Sequence, residues 1–335
     1  MSLPDFQLLR PRSLDEALTL LSRHVPNIQI IAGGTDLIPS LRQGLFTPEY
    51  VLDLRGLEEL RGIRGLPGQG VEIGALTTLS AIEDSEFIRR HYPVLHEAAI
   101  TVASPILRNM GTLGGNLCLD TRCLWYNQFL SWRKSCGFCL KKDGDLCHVA
   151  PGGARCWAVF SGDTAPALLC LDAELEIAGA NGVRRIPLRD FYTNIGDARL
   201  KLAKDELLTR IFLPESRAGW RGAYSKLRIR GSIDYPLAGV AVALKLRNGS
   251  SQRNGDREVE DARVAITAVN PAPLLVSGVE EALAGRVVDE SAANAVGELA
   301  ARTAKPLTTS ALTPEYRREM VRVFAKRAVL AAAGN

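Results

Sequence analysis

Apolar and polar positions change period repeatedly along this chain, and the changes divide it into short strands and helices. Residues 6–11 predict a short strand followed by a capped helix. Ser13 stands as N-cap with Glu16 three residues on, and Leu14, Ala17, Leu18 and Leu21 form the apolar stripe. The β-branched run Ile28-Gln29-Ile30-Ile31 predicts a strand leading into Gly33-Gly34-Thr35-Asp36, then a helical turn over 36–41. Further strands are expected at 51–54 and 71–75, and helices at 79–83 and 93–103, the latter stopped by Ser104-Pro105. Residues 120–157 have weak periodicity and many aromatics. Regular structure resumes at 165–171, 174–177 and 206–213. Beyond Pro214 and the Gly/Arg-rich stretch 216–222 a new unit begins. Its strands are expected at 221–228, 239–247 and 259–269, with the polar stretch 248–256 as a hairpin connection. Helices are expected near 279–283, 291–304 and 315–333. The pattern is α+β, with three C-terminal strands backed by helices.

Composition narrows the possibilities without changing this layout. A chain of 335 residues exceeds the usual single core, so two or three domains are expected. With 46% hydrophobic and 23% charged residues the balance is that of an ordinary globular protein. A net charge of +4 with no dense Lys/Arg block argues against nucleic acid and anionic membrane as partners. No apolar run reaches the roughly 18–20 residues of a membrane span. The start Met1-Ser2-Leu3-Pro4-Asp5-Phe6 has no basic-then-apolar signal pattern, so a cytoplasmic location is expected. In a reducing compartment the seven cysteines are not read as disulfides. Cys118, Cys123, Cys136, Cys139, Cys147 and Cys156 share one short segment, with Cys170 outside it, which points to metal or redox chemistry.

Two glycine-rich turns carry the first candidate site. Gly33-Gly34-Thr35 follows a strand, and Gly111-Thr112-Leu113-Gly114-Gly115-Asn116 follows a helix. Glycine lets backbone N–H groups approach a pyrophosphate, and the threonines add hydroxyl donors. Neither turn is GxGxxG and no Walker lysine follows, which excludes the Rossmann and P-loop readings. Singly, each Gly-Gly reads first as a tight turn. Together within one α/β unit they favour a dinucleotide site.

The pair resembles the two FAD-pyrophosphate loops in the FAD subunits of the molybdenum hydroxylases, the xanthine-dehydrogenase and carbon-monoxide-dehydrogenase group. Ser161-Gly162-Asp163-Thr164-Ala165-Pro166 is similar to a third motif of that family, and Tyr224-Ser225-Lys226 with Asp234-Tyr235-Pro236 to a fourth, which helps cover the isoalloxazine. The four occur in order over residues 6–330. The resemblance implies a two-part FAD-binding domain of the vanillyl-alcohol-oxidase kind at 1–217, with lobes 1–56 and 57–217. A C-terminal domain at 218–335 with a three-stranded antiparallel sheet follows. It further implies FAD contacts at Ile30, Ile31, Ala32, Gly33, Gly34, Thr35, Asp36, Leu37, Thr101, Gly111, Thr112, Gly114, Gly115, Asn116, Asp120, Asp163, Leu207 and Lys226.

The cysteine segment admits three readings: free thiols packed as small apolar groups, a Zn(Cys)4 site lacking the usual paired-CxxC spacing, or an iron–sulfur cluster, which tolerates wide loops. Trp125, Tyr126, Phe129, Trp132, Phe138 and Trp157 could wall a cluster from water. Arg122, Arg133, Lys134, Lys141, Lys142 and Arg155 could offset its negative charge. These features favour the cluster over zinc. An insertion of this kind resembles that in the FAD subunits of 4-hydroxybenzoyl-CoA reductases, which bind an additional [4Fe–4S] cluster. That resemblance implies Cys123, Cys139, Cys147 and Cys156 as ligands. It leaves Cys118, Cys136 and Cys170 outside the set, with His148 beside it. The implied partners are a large molybdopterin subunit and a small subunit with two [2Fe–2S] clusters, in a dimer of heterotrimers. Ferredoxin is the implied electron donor for reductive dehydroxylation of 4-hydroxybenzoyl-CoA to benzoyl-CoA. Two alternatives stand beside this: the FAD subunit of a related hydroxylase oxidising another aromatic or heterocycle, and a stand-alone flavoprotein with a zinc-stabilised docking insertion. No catalytic triad or paired-carboxylate site is visible. His24, His91 and His96 are expected at the surface.

Overall fold

The computed structural model describes residues 2–66, 68–247 and 257–334. Ser13 caps the helix Leu14–His24 as its pattern predicts, its Oγ accepting the Glu16 N–H at 3.2 Å, while the Glu16 carboxylate accepts the N–H of Arg12 at 2.7 Å. This helix connects β1 (Gln7–Leu9) to β2 (Ile28–Ile31). Together with β3 (Tyr50–Asp53) they form a three-stranded parallel sheet in the order β1-β3-β2. Ligands of parallel sheets gather outside the carboxyl ends of the strands, which is where β2 delivers Gly33 and Gly34.

The second sheet is antiparallel, built from β4 (Ile63–Leu66), β5 (Gly70–Gly74), β6 (Glu174–Gly179), β7 (Gly182–Pro187) and β8 (Leu207–Leu213) in the order β4-β5-β8-β6-β7. Its two edges, β4 and β7, have no counterpart in the sequence reading. β4 has only four residues, and the exposed Arg64, Arg184 and Arg185 interrupt any clean alternation in both, a common way of blunting an edge. Between β5 and β6 the chain passes through short helices, the second glycine turn and the cysteine segment. The only regular element in that segment is the helix Leu130–Ser135.

The C-terminal sheet has four antiparallel strands, not three. To β9 (Arg221–Leu227), β10 (Ala238–Leu246) and β11 (Val259–Thr267) it adds β12 (Leu274–Leu275), two residues that are too short to leave a periodic signal. The expected hairpin connection at 248–256 lies outside the described residues. Strand β10 is buried on both faces. Val240, Val242 and Leu244 pack with Val296, Val321 and Val329 of the helices Glu290–Thr303 and Pro314–Ala333. The intervening Ala241 and Ala243 join the core of the preceding unit, where alanines let the helix Thr164–Cys170 approach. Cys170 is wholly buried there, its Sγ 3.5 Å from the Ala241 carbonyl, which fits a packing role.

The histidines are less exposed than expected. His24 lies tilted against the Tyr50 ring at 3.9 Å, His91 lies 4.6 Å from Phe87, and His96 bonds the Glu83 carbonyl at 3.1 Å. Each is half-buried because the ring's apolar faces cover neighbouring side chains.

Candidate functional site

A groove of about 1000 Å³ runs along the carboxyl end of the parallel sheet. One glycine turn stands on each side, and a loop of the C-terminal unit closes over it. The turns are glycine-rich first because they touch. A Cβ on Gly33 would fall 2.0 Å from the Met110 carbonyl oxygen and 2.9 Å from the Gly111 Cα. Gly34 has φ +74°, the left-handed region that favours glycine. Among the described residues, the N–H groups of Gly34, Thr35 and Asp36 find no acceptor within the chain, leaving donors free at the groove. The second turn differs. Most of its amides are already engaged: Gly111 with the Leu107 carbonyl, Leu113 with the Thr77 carbonyl, Gly114 with the Ala75 carbonyl, and Gly115 and Asn116 with Thr112, so that among the described residues the Thr112 N–H is the one left without an acceptor. Free amides for an anion such as pyrophosphate therefore come mainly from the first turn, while the second adds the Thr112 N–H and brings the opposite wall close.

Side chains behind the wall link the later motifs to these turns. Asn116 Oδ1 accepts from both the amide (3.1 Å) and the hydroxyl (2.7 Å) of Thr164. This fixes Asp163 at the groove edge. Asp163 is paired with Lys226 at 3.0 Å, both side chains only 3% exposed, and accepts the Tyr224 hydroxyl at 2.8 Å. Burial pushes its carboxyl above the usual range, against the pull of the Lys226 ammonium and the Tyr224 hydroxyl. The Thr101 carbonyl accepts from Lys226 at 2.9 Å.

Of the residues expected to contact FAD, Ile30, Ala32, Gly33, Gly34, Thr35, Asp36, Leu37, Gly111, Thr112, Gly114, Gly115, Asn116, Asp120, Asp163 and Leu207 line the groove. Ile31, Thr101 and Lys226 lie behind its wall. Sequence reasoning missed Phe46, Asp197 and Arg199, which stand in no recognisable motif, and assigned Arg122 only to the cysteine segment. Arg122 Nη1 donates to Asp36 Oδ1 at 3.1 Å, the Tyr235 hydroxyl donates to the same oxygen at 2.8 Å, and the guanidinium lies 4.0 Å over the Tyr235 ring. These three residues latch the C-terminal unit onto the first glycine turn. Cys118 also lines the groove, its thiol pushed up to about 11 by burial.

Cys123, Cys139, Cys147 and Cys156 line one small second cavity, with Trp125, Tyr126, Lys141, His148 and Trp157 around them. Cys136 does not line it. Backbone pairing builds the arrangement. Arg122 and Val159 exchange hydrogen bonds at 2.7 and 2.9 Å, which sets Cys123 near Cys156. A tight turn (Lys142 N–H to the Cys139 carbonyl 2.8 Å, Leu140 N–H to the Leu146 carbonyl 2.8 Å) brings Cys139 near Cys147. Burial pushes the Cys123 and Cys156 thiols up to about 11, and neighbouring cysteines push the same way. Thiolates here would need a bound cation to ionise near neutral pH. The Ala158 N–H points at Cys156 Sγ, 3.4 Å away. His148 stacks on Trp125 at 4.3 Å and bonds the Phe138 carbonyl, while Arg155 lies over Trp157 at 4.1 Å. Phe129 and Trp132 are exposed and do not shield the cavity. Among the described residues no three His, Cys, Asp or Glu side chains close onto a single metal-ion position.

Residues 4–216 match the FAD binding domain in molybdopterin dehydrogenase, and 222–332 the CO dehydrogenase flavoprotein C-terminal domain. The chain is 31% identical over 325 residues to the carbon monoxide dehydrogenase medium chain of Afipia carboxidovorans, covering 97% of this chain and 95% of that one. It is 31% identical over 245 residues to the nicotinate dehydrogenase FAD-subunit of Eubacterium barkeri, covering 72% and 69%. Among solved structures, reconstituted CO dehydrogenase from Oligotropha carboxidovorans superimposes with a TM-score of 0.80 at 29% identity, over 99% of each chain.

Proposed function

The chain belongs to the FAD-binding subunits of the xanthine dehydrogenase and carbon monoxide dehydrogenase family of molybdenum hydroxylases, and from that premise we propose that it carries a [4Fe–4S] cluster on Cys123, Cys139, Cys147 and Cys156. The observation that carries the proposal is one shared wall: the four cysteines surround a single cavity directly beside the groove whose free amides suit FAD. Thiols spread around a cavity suit a centre of several irons better than one tetrahedral ion, which draws its sulfurs to about 2.3 Å from one point.

Bound FAD would exchange one or two electrons and the cluster one, so the two together supply an electron relay. The chain's own part is positional. Gly34, Thr35 and Asp36 offer donors, Asp163 and Lys226 hold charge at the groove edge, and Tyr235 closes the mouth. In the assembly we propose, the chain lies between ferredoxin, docking on the cysteine side, and a small two-[2Fe–2S] subunit with a large molybdopterin subunit beyond. The complex would be a cytoplasmic dimer of heterotrimers. Among the described residues no helix is long and apolar enough to cross a membrane.

For the whole complex we propose reductive dehydroxylation of 4-hydroxybenzoyl-CoA, supported by the four-cysteine insertion. A second reading, oxidative hydroxylation of another aromatic or heterocycle, is favoured by the names of the relatives, among them nicotinate dehydrogenase. Anaerobic purification with the partner subunits, followed by iron, zinc and flavin analysis and EPR, tests the cofactor set. Stoichiometric zinc without a cubane signal removes the cluster. Turnover of 4-hydroxybenzoyl-CoA by reduced ferredoxin decides the reaction, and its absence alongside nicotinate oxidation selects the second reading.

A further inference from the structure

The wall between the flavin groove and the cysteine cavity is formed by residues 120–123. Asp120 and Arg122 line the groove, and Cys123 lines the cavity. Lys141, lying between Cys139 and Cys147 in the chain, lines the cavity and reaches through this wall. Its Nζ donates to Asp120 Oδ1 and to the Thr121 carbonyl, each at 2.8 Å, and lies 4.3 Å over the Tyr126 ring. The Tyr126 hydroxyl donates to the other Asp120 oxygen at 2.9 Å, and Arg199 Nη1 stands 3.5 Å from Oδ1. The Lys141 side chain is 7% exposed. A buried charge is costly unless neighbouring charge offsets it. Here two cations, Lys141 and Arg199, share the Asp120 carboxylate, so one positive charge is in excess on the wall, and Lys141 brings it to the cavity that the four cysteines line. A neutral side chain would tie the wall together without that excess.

We propose that Lys141 is a positioning residue for both redox centres. Its fixed charge stabilises the more reduced state of a thiolate-bound cluster, and its bond to Asp120 transmits charge changes between the groove floor and the cysteine cavity. The potentials of cluster and flavin are thereby set in common. This rests on the cluster reading above.

The test uses the intact complex, purified anaerobically. Cluster potential is read by EPR titration and flavin potential by absorbance, in Lys141→Met, Lys141→Arg, Asp120→Asn and the double variant Lys141→Met/Asp120→Asn. Removing the positive charge disfavours the reduced state. Lys141→Met therefore shifts the cluster's one-electron equilibrium at least tenfold toward oxidised, a midpoint lower by about 59 mV or more. Lys141→Arg stays within threefold of wild type. Asp120→Asn shifts the cluster the opposite way although it contacts no cysteine, and the double variant returns toward wild type because the two charge changes cancel. The flavin potential follows the same signs. If Lys141→Met keeps full iron and flavin with an unchanged cluster potential, the lysine is structural only and the proposal is overturned. If Lys141→Met loses iron, Asp120→Asn decides, since an unmoved cluster potential in that variant also overturns the coupling. A wild-type complex without iron overturns the cluster reading and this proposal with it, and that outcome is seen before any substitution is made.

Discussion

Replacing Gly33 by alanine tests the idea that the flavin groove depends on the contact of two glycine turns. The added Cβ would lie 2.0 Å from the Met110 carbonyl oxygen and 2.6 Å from its carbon, both backbone atoms that no rotamer change can move. To reach even a tight contact the two turns must part by about 1 Å, an overpacking strain of about 1–3 kcal/mol. That separation shifts the free N–H groups of Gly34, Thr35 and Asp36 relative to the opposite wall. If the strain is expressed fully in the bound geometry, FAD binds about 5- to 150-fold more weakly. Recovery of flavin fluorescence on dilution measures the affinity, with far-UV circular dichroism as a check on folding. Gly65→Ala is the control, because a Cβ there meets nothing within 4 Å. Wild-type FAD affinity in a folded Gly33→Ala protein would falsify the argument, since it would mean that the turns need not touch to form the site.

Three further outcomes follow from other contacts. Glu83 joins Arg108 through two hydrogen bonds of 2.7 and 2.9 Å, anchoring the helix Pro105–Arg108 beside the second glycine turn, and these bonds hold the Glu83 carboxyl below its ordinary value of 4.5. A depressed carboxyl pKa stabilises the fold above the unfolded value and ceases to do so as pH falls through the folded one. Glu83→Gln should therefore cost about 1–3 kcal/mol in urea unfolding at pH 7, with the difference from wild type closing as pH drops below 4.5; a difference constant with pH would refute the assignment. Tyr235→Phe removes the 2.8 Å bond to Asp36. It should speed FAD release by about 2- to 10-fold, matching about 0.5–1.5 kcal/mol, and an unaltered stopped-flow rate would show that the latch does not restrain the cofactor. Cys139→Ser should abolish the cubane EPR signal while Cys136→Ser, outside the cavity, keeps full iron; equal iron in both variants would remove Cys139 from the ligand set.

The cysteine set and both glycine turns were legible in the chain because each is a local cluster of unusual residue types. The helix over Ser13–Leu21 was legible because burial on one face imposes a period, and the strand 238–246 because burial on both faces leaves a continuous apolar run. The edges β4 and β7 and the two-residue β12 were not, since edge strands carry charge and short strands have no period to read.

What only tertiary structure decided is which distant groups meet. The two turns contact each other through Gly33 and Met110, Tyr235 reaches Asp36, and Lys141 crosses a wall to Asp120. Residue spacing records the preferences of neighbours in the chain. Such long-range approaches are set by how three sheets pack, where a single carbonyl 2.0 Å from an absent Cβ decides that Gly33 has no substitute. The same packing engages most amides of the second turn, including those of its Gly-Gly pair, and leaves Gly34, Thr35 and Asp36 of the first free, a difference between two Gly-Gly sequences that look alike until the chain is folded.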